Sequence, residues 1–196
     1  MFRTVLKADN RSLLRATNPL RVKDAYCVHQ WLTQQQDAHR ADDNLLYEVE
    51  IEDKYIMLYI QSETPFNLRG VEARGFVVLQ ANIPVEMPTT NGTKVAFQVR
   101  VLPQKCINSK YVPITNAAER DAWFVQKCAK VGLDITAYQV HQMSTIAFTK
   151  NNKTISAPSC VYAGVAEVTN VEALQNMLRC GFGRGKAWGA GLFMTV

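Results

Sequence analysis

Apolar and polar positions alternate along this chain in short runs whose periods predict a series of elements. "FRTVLKA" near the N-terminus reads as a short strand. Asp24 is placed to cap a helix that runs to about Gln36, with Ala25, Val28 and Leu32 as its buried stripe. "NLLYEVEI" and "KYIMLYIQ" then read as two strands joined tightly through "EDK", a hairpin. A helical or irregular piece around Asn67 to Arg74 leads into "GFVVLQ", a further strand. The order is strand, helix, strand, strand, helix, strand.

"NIPVEMPTTNGT" is rich in Pro, Asn, Thr and Gly and marks a domain boundary, after which the same order returns. "KVAFQVRVLP" sets Val95, Phe97, Val99 and Val101 against Lys94, Gln98 and Arg100, the alternation of a half-buried strand. "NAAERDAWFVQKCAKVG" predicts a helix, and Ala118, Ala122, Val125 and Ala129 recur at the spacing of a buried face. The strands "YQVHQMSTIAFT" and "TISAPSCVYAGVAEV" flank the turn "KNNK". "NVEALQNMLRCG" is a helix opened by Thr169 or Asn170 and closed by Gly181, and "AGLFMTV" is the last strand. The expectation is an α+β chain of two tandem ferredoxin-like (RRM-type) βαββαβ domains, spanning residues 1–85 and 92–196. The repeat is one of architecture, not of sequence.

Charge adds an asymmetry to that plan. The chain of 196 residues carries a formal +5. Arg3, Lys7, Arg11, Arg15, Arg21 and Lys23 open it against Asp9 alone, acids dominate from Asp37 to Glu63, and Lys150, Lys153, Arg179, Arg184 and Lys186 make the last third basic again. Such polarity suits a molecule that holds a polyanion on one face. Cys27, Cys106, Cys128, Cys160 and Cys180 show no CxxC spacing, so the expectation is buried, reduced thiols with neither a zinc ribbon nor a disulfide framework. No run approaches the ~18–20 apolar residues of a membrane span, and "MFRTVLKADNR" lacks the apolar core of a secretory signal, which predicts a soluble, cytoplasmic chain.

The densest motif is "GFGRGKAWGAG", Gly181 to Gly191, with five glycines and two cations. It is not a P-loop: Cys180 stands where the first glycine belongs, and Ala187 replaces the magnesium-binding hydroxyl after Lys186. It is not a dinucleotide fingerprint either, because Trp188 takes the third glycine position. Both motifs also run from strand to helix, whereas this loop runs from a helix to a strand. Two readings remain open: a backbone cradle for a sugar-phosphate chain, using Gly183, Arg184, Gly185 and Lys186, or a turn that lets two β elements pack. Of the three histidines, His39 lies in a polar connection and His141 in a strand, and no metal-ligand spacing exists among them. His29 falls at the margin of the first helix's buried stripe, with Tyr26 one turn before it on the same edge.

"DAYCVHQWL", then "FQVRVLPQK…KYVPIT…DAWFVQK", then "GFGRGKAWGAGL" occur in an order that resembles the CasE-type CRISPR repeat-processing endoribonucleases of type I-E systems, within the RAMP superfamily. The resemblance spans nearly the whole chain. It implies two ferredoxin-like folds and metal-independent cleavage of precursor CRISPR RNA at the base of the repeat hairpin, leaving 2′,3′-cyclic phosphate and 5′-hydroxyl ends, without a cofactor. It also implies retention of the stem-loop product and partnership with other subunits of a surveillance complex. His29 is then expected as general acid–base residue, with Tyr26 orienting the 2′-hydroxyl or phosphate or sharing the proton transfer. Arg100, Lys105 and Lys110, with Lys150 and Lys153, are expected to bind the hairpin. The chain departs from some relatives at Thr33-Gln34-Gln35-Gln36, where they carry a lysine a turn beyond the histidine, and at "VLPQK", where they often have "ANPxK". The alternatives are a non-catalytic subunit that binds the RNA hairpin and, from the glycine loop alone, a nucleotide-dependent enzyme.

Overall fold

The computed structural model describes residues 1–9, 24–36, 43–150 and 153–195, with the side chains of Gln142, Phe148, Thr149, Lys150, Lys153 and Thr154 outside that description. The basic residues Arg11, Arg15, Arg21 and Lys23, and also Asp37, His39 and Asp42, lie outside the described residues. The chain forms two compact units: Met1–Glu86 with Ala147–Ile155 and Lys186–Gly189, and Met87–Ile146 with Ser156–Gly185 and Ala190–Val196.

In the first unit, β1 (Phe2–Asp9), β2 (Leu46–Ile51), β3 (Tyr55–Ser62) and β4 (Phe76–Pro84) form one antiparallel sheet in the order β2-β3-β1-β4. The helix α1 (Ala25–Gln35) follows β1, and a single 3₁₀ turn, Glu72–Arg74, stands where a second helix was expected. Asp24 caps α1 as predicted, its carboxylate accepting from the amides of Tyr26 at 3.0 Å and Cys27 at 3.3 Å. Val28, Trp31 and Leu32 pack with Leu6, Ile56, Leu58, Ile60 and Phe76, and Trp31 stacks on Phe76 with ring centroids 5.6 Å apart. Each such aliphatic side chain withdrawn from water contributes roughly 1.5–3 kcal/mol. β4 runs past the expected "GFVVLQ" to Pro84, and at Asn82, whose φ is +51°, it is locked by side-chain bonds to Thr4 and Phe66.

In the second unit, β5 (Lys94–Val101), β8 (Leu133–Lys150), β9 (Lys153–Val168) and β10 (Phe193–Thr195) assemble in the order β10-β5-β9-β8. Numbering the four strands of each unit by chain order gives 4-1-3-2 in both, the ferredoxin-like arrangement. Helices α2 (Ala117–Lys130) and α3 (Val171–Cys180) complete the unit. Asn116 caps α2, and Asn170 rather than Thr169 caps α3. Two short strands, β6 (Gln104–Ile107) and β7 (Lys110–Pro113), form an added two-stranded ribbon absent from the sequence-based expectation. Each is four residues long, mostly exposed and flanked by prolines, so it carries no readable periodicity; Asn108 and Ser109, at φ +48° and +62°, make its turn.

The buried face of α2 corrects the predicted one. Ala118, Ala122, Val125 and Ala129 are all exposed, and Arg120, Phe124 and Cys128 are buried instead. Phe124 stacks on Tyr162 with centroids 3.9 Å apart, and the larger ring outweighs a row of alanines in choosing the inner face. Arg120 is tolerated there because Nε donates to Tyr162 Oη at 3.2 Å and to Asp121 Oδ1 at 3.3 Å. Tyr162 in turn donates to Asp121 at 2.8 Å, and burial with that carboxylate raises its phenol above the ordinary value.

The cysteines divide by burial: Cys106 and Cys180 are exposed, Cys128 and Cys160 buried and Cys27 intermediate. Burial pushes the Cys128 thiol from its ordinary 9.0 up to about 12. The protonated form is therefore favoured by the fold, and this contribution to stability is present below pH 9 and lost as pH rises toward 12. Native thiol labelling read by mass spectrometry is expected to modify Cys106 and Cys180 and to reach Cys128 only after unfolding. Equal labelling of Cys128 in the native protein would contradict this packing.

Candidate active site and nucleic-acid interface

In the first unit, His29 sits on the second turn of α1, 8 % exposed, and its carbonyl accepts from Thr33 Oγ1 at 2.9 Å. Tyr26 lies one turn earlier with its ring centroid 6.5 Å from the imidazole, which brings together the two residues the sequence paired. A third ring joins them. Tyr47, on β2, lies nearly parallel to His29, 14° between planes and 6.3 Å between centroids, within the range of offset aromatic pairs. Tyr47 is 1 % exposed, and its hydroxyl lies 2.7 Å from the Ala25 carbonyl and 3.1 Å from the Ala187 carbonyl.

Ala187 belongs to a 3₁₀ turn, Lys186–Trp188, within the glycine-rich loop. This turn is part of the first unit, whereas Gly181–Gly185 and Ala190–Gly191 belong to the second. Gly189 has φ +76°, and a Cβ there would stand 3.1 Å from Tyr47 Cε2, so a side chain would crowd the ring. Lys186 is thereby carried by a turn whose backbone is hydrogen-bonded to the same tyrosine that stacks on His29.

The far end of α1 is held by a separate polar network. Gln36 Nε2 donates to Asp43 Oδ2 at 2.6 Å, and Asp43 Oδ1 accepts from the Thr64 amide at 2.9 Å and from Thr64 Oγ1 at 2.6 Å. Gln36 Oε1 accepts from the Asn67 amide at 3.0 Å, and Gln35 Nε2 donates to the carbonyls of Asn67 and Arg69. The stretch where some relatives of the CasE type carry a lysine is thus occupied here by glutamines that anchor the helix.

In the second unit the remaining part of the glycine loop folds on itself. The Phe182 amide donates to Gly191 O at 2.8 Å, the Ala190 amide to Gly185 O at 3.2 Å and the Gly191 amide to Arg100 O at 2.8 Å. Phe182, 2 % exposed, plugs the loop into the core beside Phe124 and Phe193. A Cβ on Gly185 would collide with Leu102, whereas Gly183 faces open space at φ +70°. Arg184 lies over the ring of Tyr111, 3.6 Å from its centroid, so the ribbon β6–β7 holds the loop's arginine by a cation–π contact. Sequence reasoning gave no role to Tyr47 or to Tyr111, although Tyr111 stands in "KYVPIT", because each makes its contact across a long sequence separation.

Among the other expected binding residues, Arg100 is 7 % exposed and donates to Ser144 Oγ on β8 at 3.1 Å, while its backbone carbonyl accepts from the Gly191 amide at 2.8 Å. Lys105 pairs with Glu119 at 2.6 Å in an exposed ion pair, the kind of contact that contributes little net stability and can be exchanged for another anion. Lys110 is exposed at the start of β7. Lys150 and Lys153 end β8 and begin β9, and their side chains lie outside the described residues. His141 is exposed and meets Gln139. Among the described residues, no three His, Cys, Asp or Glu side chains are grouped to hold a metal, and no helix is long and apolar enough to cross a membrane.

The sequence model of a family described as CRISPR associated protein matches residues 1–196. No curated protein sequence matches the chain. By structure, the chain is similar to Cse3 of Thermus thermophilus, bound to an RNA that represents a pre-cleavage complex, at TM-score 0.81 and 20 % identity over 100 % of both chains. It is similar to the CRISPR-associated protein Cas6e of Escherichia coli K-12 at TM-score 0.74 and 20 % identity, over 100 % of this chain and 98 % of that one. A chain of a CRISPR RNA-guided surveillance complex gives TM-score 0.71 and 19 % identity, over 100 % and 99 %. At these identities the likeness establishes the tandem ferredoxin-like fold.

Asp43 is the keystone of the network at the end of α1. Asp43→Ala removes three accepted hydrogen bonds at once and is expected to lower unfolding free energy by about 2–4 kcal/mol, read by urea denaturation. A loss near zero would show that the network does not hold the helix.

Proposed function

The chain belongs to the CRISPR-associated protein family, and on that premise we propose that it is a metal-independent endoribonuclease of precursor CRISPR RNA. It cuts each repeat at the base of the stem-loop, leaves 2′,3′-cyclic phosphate and 5′-hydroxyl ends, and stays on the hairpin as a subunit of a surveillance complex in the cytoplasm. The relatives of like fold described as bound to RNA and as part of a surveillance complex support the substrate and the assembly. The observation that carries the reading is the Tyr47 hydroxyl, which meets both the first carbonyl of the His29 helix and the carbonyl next to Lys186. It joins the His29 helix and the Lys186 turn in one hydrogen-bonded clamp, which supports a shared role for the two.

Cleavage of this kind needs two proton transfers and a stabilised phosphorane. A base takes the proton from O2′, O2′ attacks phosphorus, the P–O5′ bond breaks and O5′ leaves with a proton. Imidazole, with an unperturbed pKa near ~6.5, suits either transfer at neutral pH, and His29 takes that role. Tyr26 orients the 2′-hydroxyl or the phosphate, or shares in the transfer. Lys186 supplies a cation for the negative charge that develops on the phosphorane, and Arg184 with the amides of Gly183 and Gly185 binds the RNA backbone. Arg100, Lys105, Lys110, Lys150 and Lys153 hold the stem by its phosphates.

One observation favours a second reading, a non-catalytic subunit that binds the hairpin. His29 is 8 % exposed, and the following turn offers glutamines committed to the fold instead of a lysine.

A cognate repeat hairpin is expected to be cut in excess EDTA, with His29→Ala abolishing cleavage and leaving hairpin Kd within about twofold. A requirement for magnesium would sink the mechanism. Equal binding by wild type and His29→Ala, with cleavage by neither, would establish the second reading. Lys110→Ala is expected to weaken hairpin binding and to reduce the slope of log K against log salt by about 0.7–0.9; an unchanged slope would remove Lys110 from the interface.

A further inference from the structure

A buried phenol must satisfy its hydroxyl, and here two carbonyls stand within its reach. Tyr47 Oη has one proton to give, yet it lies 2.7 Å from the Ala25 carbonyl and 3.1 Å from the Ala187 carbonyl. In an α-helix the Ala25 carbonyl is also the acceptor for the amide of His29. The hydroxyl therefore grips the peptide that fixes His29's own backbone, while the ring lies alongside the imidazole. The same proton is shared with the turn that carries Lys186, and Gly189 brings that turn against the ring. A side chain needed only to fill the core would not require this double contact, since phenylalanine would occupy the same volume.

We propose that Tyr47 is a positioning residue of the cleavage reaction, setting His29 and the Lys186–Trp188 turn in register with one another; this rests on the acid–base role given to His29 above. Misplacing a reacting group by about an ångström costs rate far more than binding, because affinity for the hairpin is spread over many phosphate contacts. The hydroxyl does no chemistry itself. It acts through the helix and the turn it joins.

The test is single-turnover cleavage of a repeat hairpin in EDTA by full-length wild type, Tyr47→Phe, Gly189→Ala and the double variant, with hairpin Kd and thermal midpoint measured on each. Tyr47→Phe keeps the ring and removes the tether, and its rate constant is expected to fall about ten- to a hundredfold with Kd within about twofold and the thermal midpoint nearly unchanged. Gly189→Ala displaces the turn from the loop side and is expected to show the same split. The double variant should lose less than the product of the two single losses, because both act on one contact. Wild-type cleavage with an unimpaired Tyr47→Phe overturns the proposal alone, as does a rate loss that merely follows a fall in midpoint or in affinity. A wild type that does not cleave overturns both this proposal and the acid–base role.

Discussion

One hydroxyl proton between two carbonyls joins the sheet of the first unit to the start of the His29 helix and to a turn of the glycine-rich loop. Tyr47 is a strand residue, paired with Ile60 across β2 and β3, so its position is set by the sheet and not by the site. A sheet holds its side chains more rigidly than a loop does. By reaching from that sheet to Ala25 and Ala187, the tyrosine passes the rigidity on to a helix start and to a turn in a glycine-rich loop. The loop's glycines then have a specific use: Gly189 lets the backbone close on the ring, and Gly185 lets it close on Leu102. What looks like flexible chain is packed on both of its flanks.

The same economy governs the second unit, where aromatic packing replaces the hydroxyl. Phe182 joins the core while its neighbours Gly183 and Arg184 are exposed, so one buried ring sets the position of the exposed stretch of the loop. Tyr111 takes the face of the Arg184 guanidinium in a cation–π contact. Buried polar groups in this unit come with partners, as with Arg120, Asp121 and Tyr162. A buried charge without such a network would cost several kcal/mol.

Most of the architecture was legible from local pattern. Asp24 as an N-cap, the hairpin through "EDK" and the two rounds of strand, helix, strand, strand all follow from periodicity and capping chemistry, which act over three or four residues. Reading failed where local signals were weak or misleading. Four-residue strands carry too little alternation to find β6 and β7. On α2 the row of alanines and Val125 has the correct spacing for a buried face, but it is exposed because Phe124 and Cys128, one position away, offer more surface to the sheet. Arg120 on the inner face misleads any count of apolar residues, since its partner Tyr162 lies 42 residues further along.

The sequence by itself determined the order of the main strands and helices of both units, because hydrophobic period and caps are properties of neighbouring residues. It also placed a histidine and a tyrosine on one helix edge and a cationic glycine loop near the end. Only the tertiary structure decided that the loop's 3₁₀ turn belongs with the helix of His29, through a contact between residues 140 apart in the chain. No local rule specifies such a contact. It arises because a buried hydroxyl must find an acceptor wherever the packed sheet leaves it, and here the sheet leaves it between two.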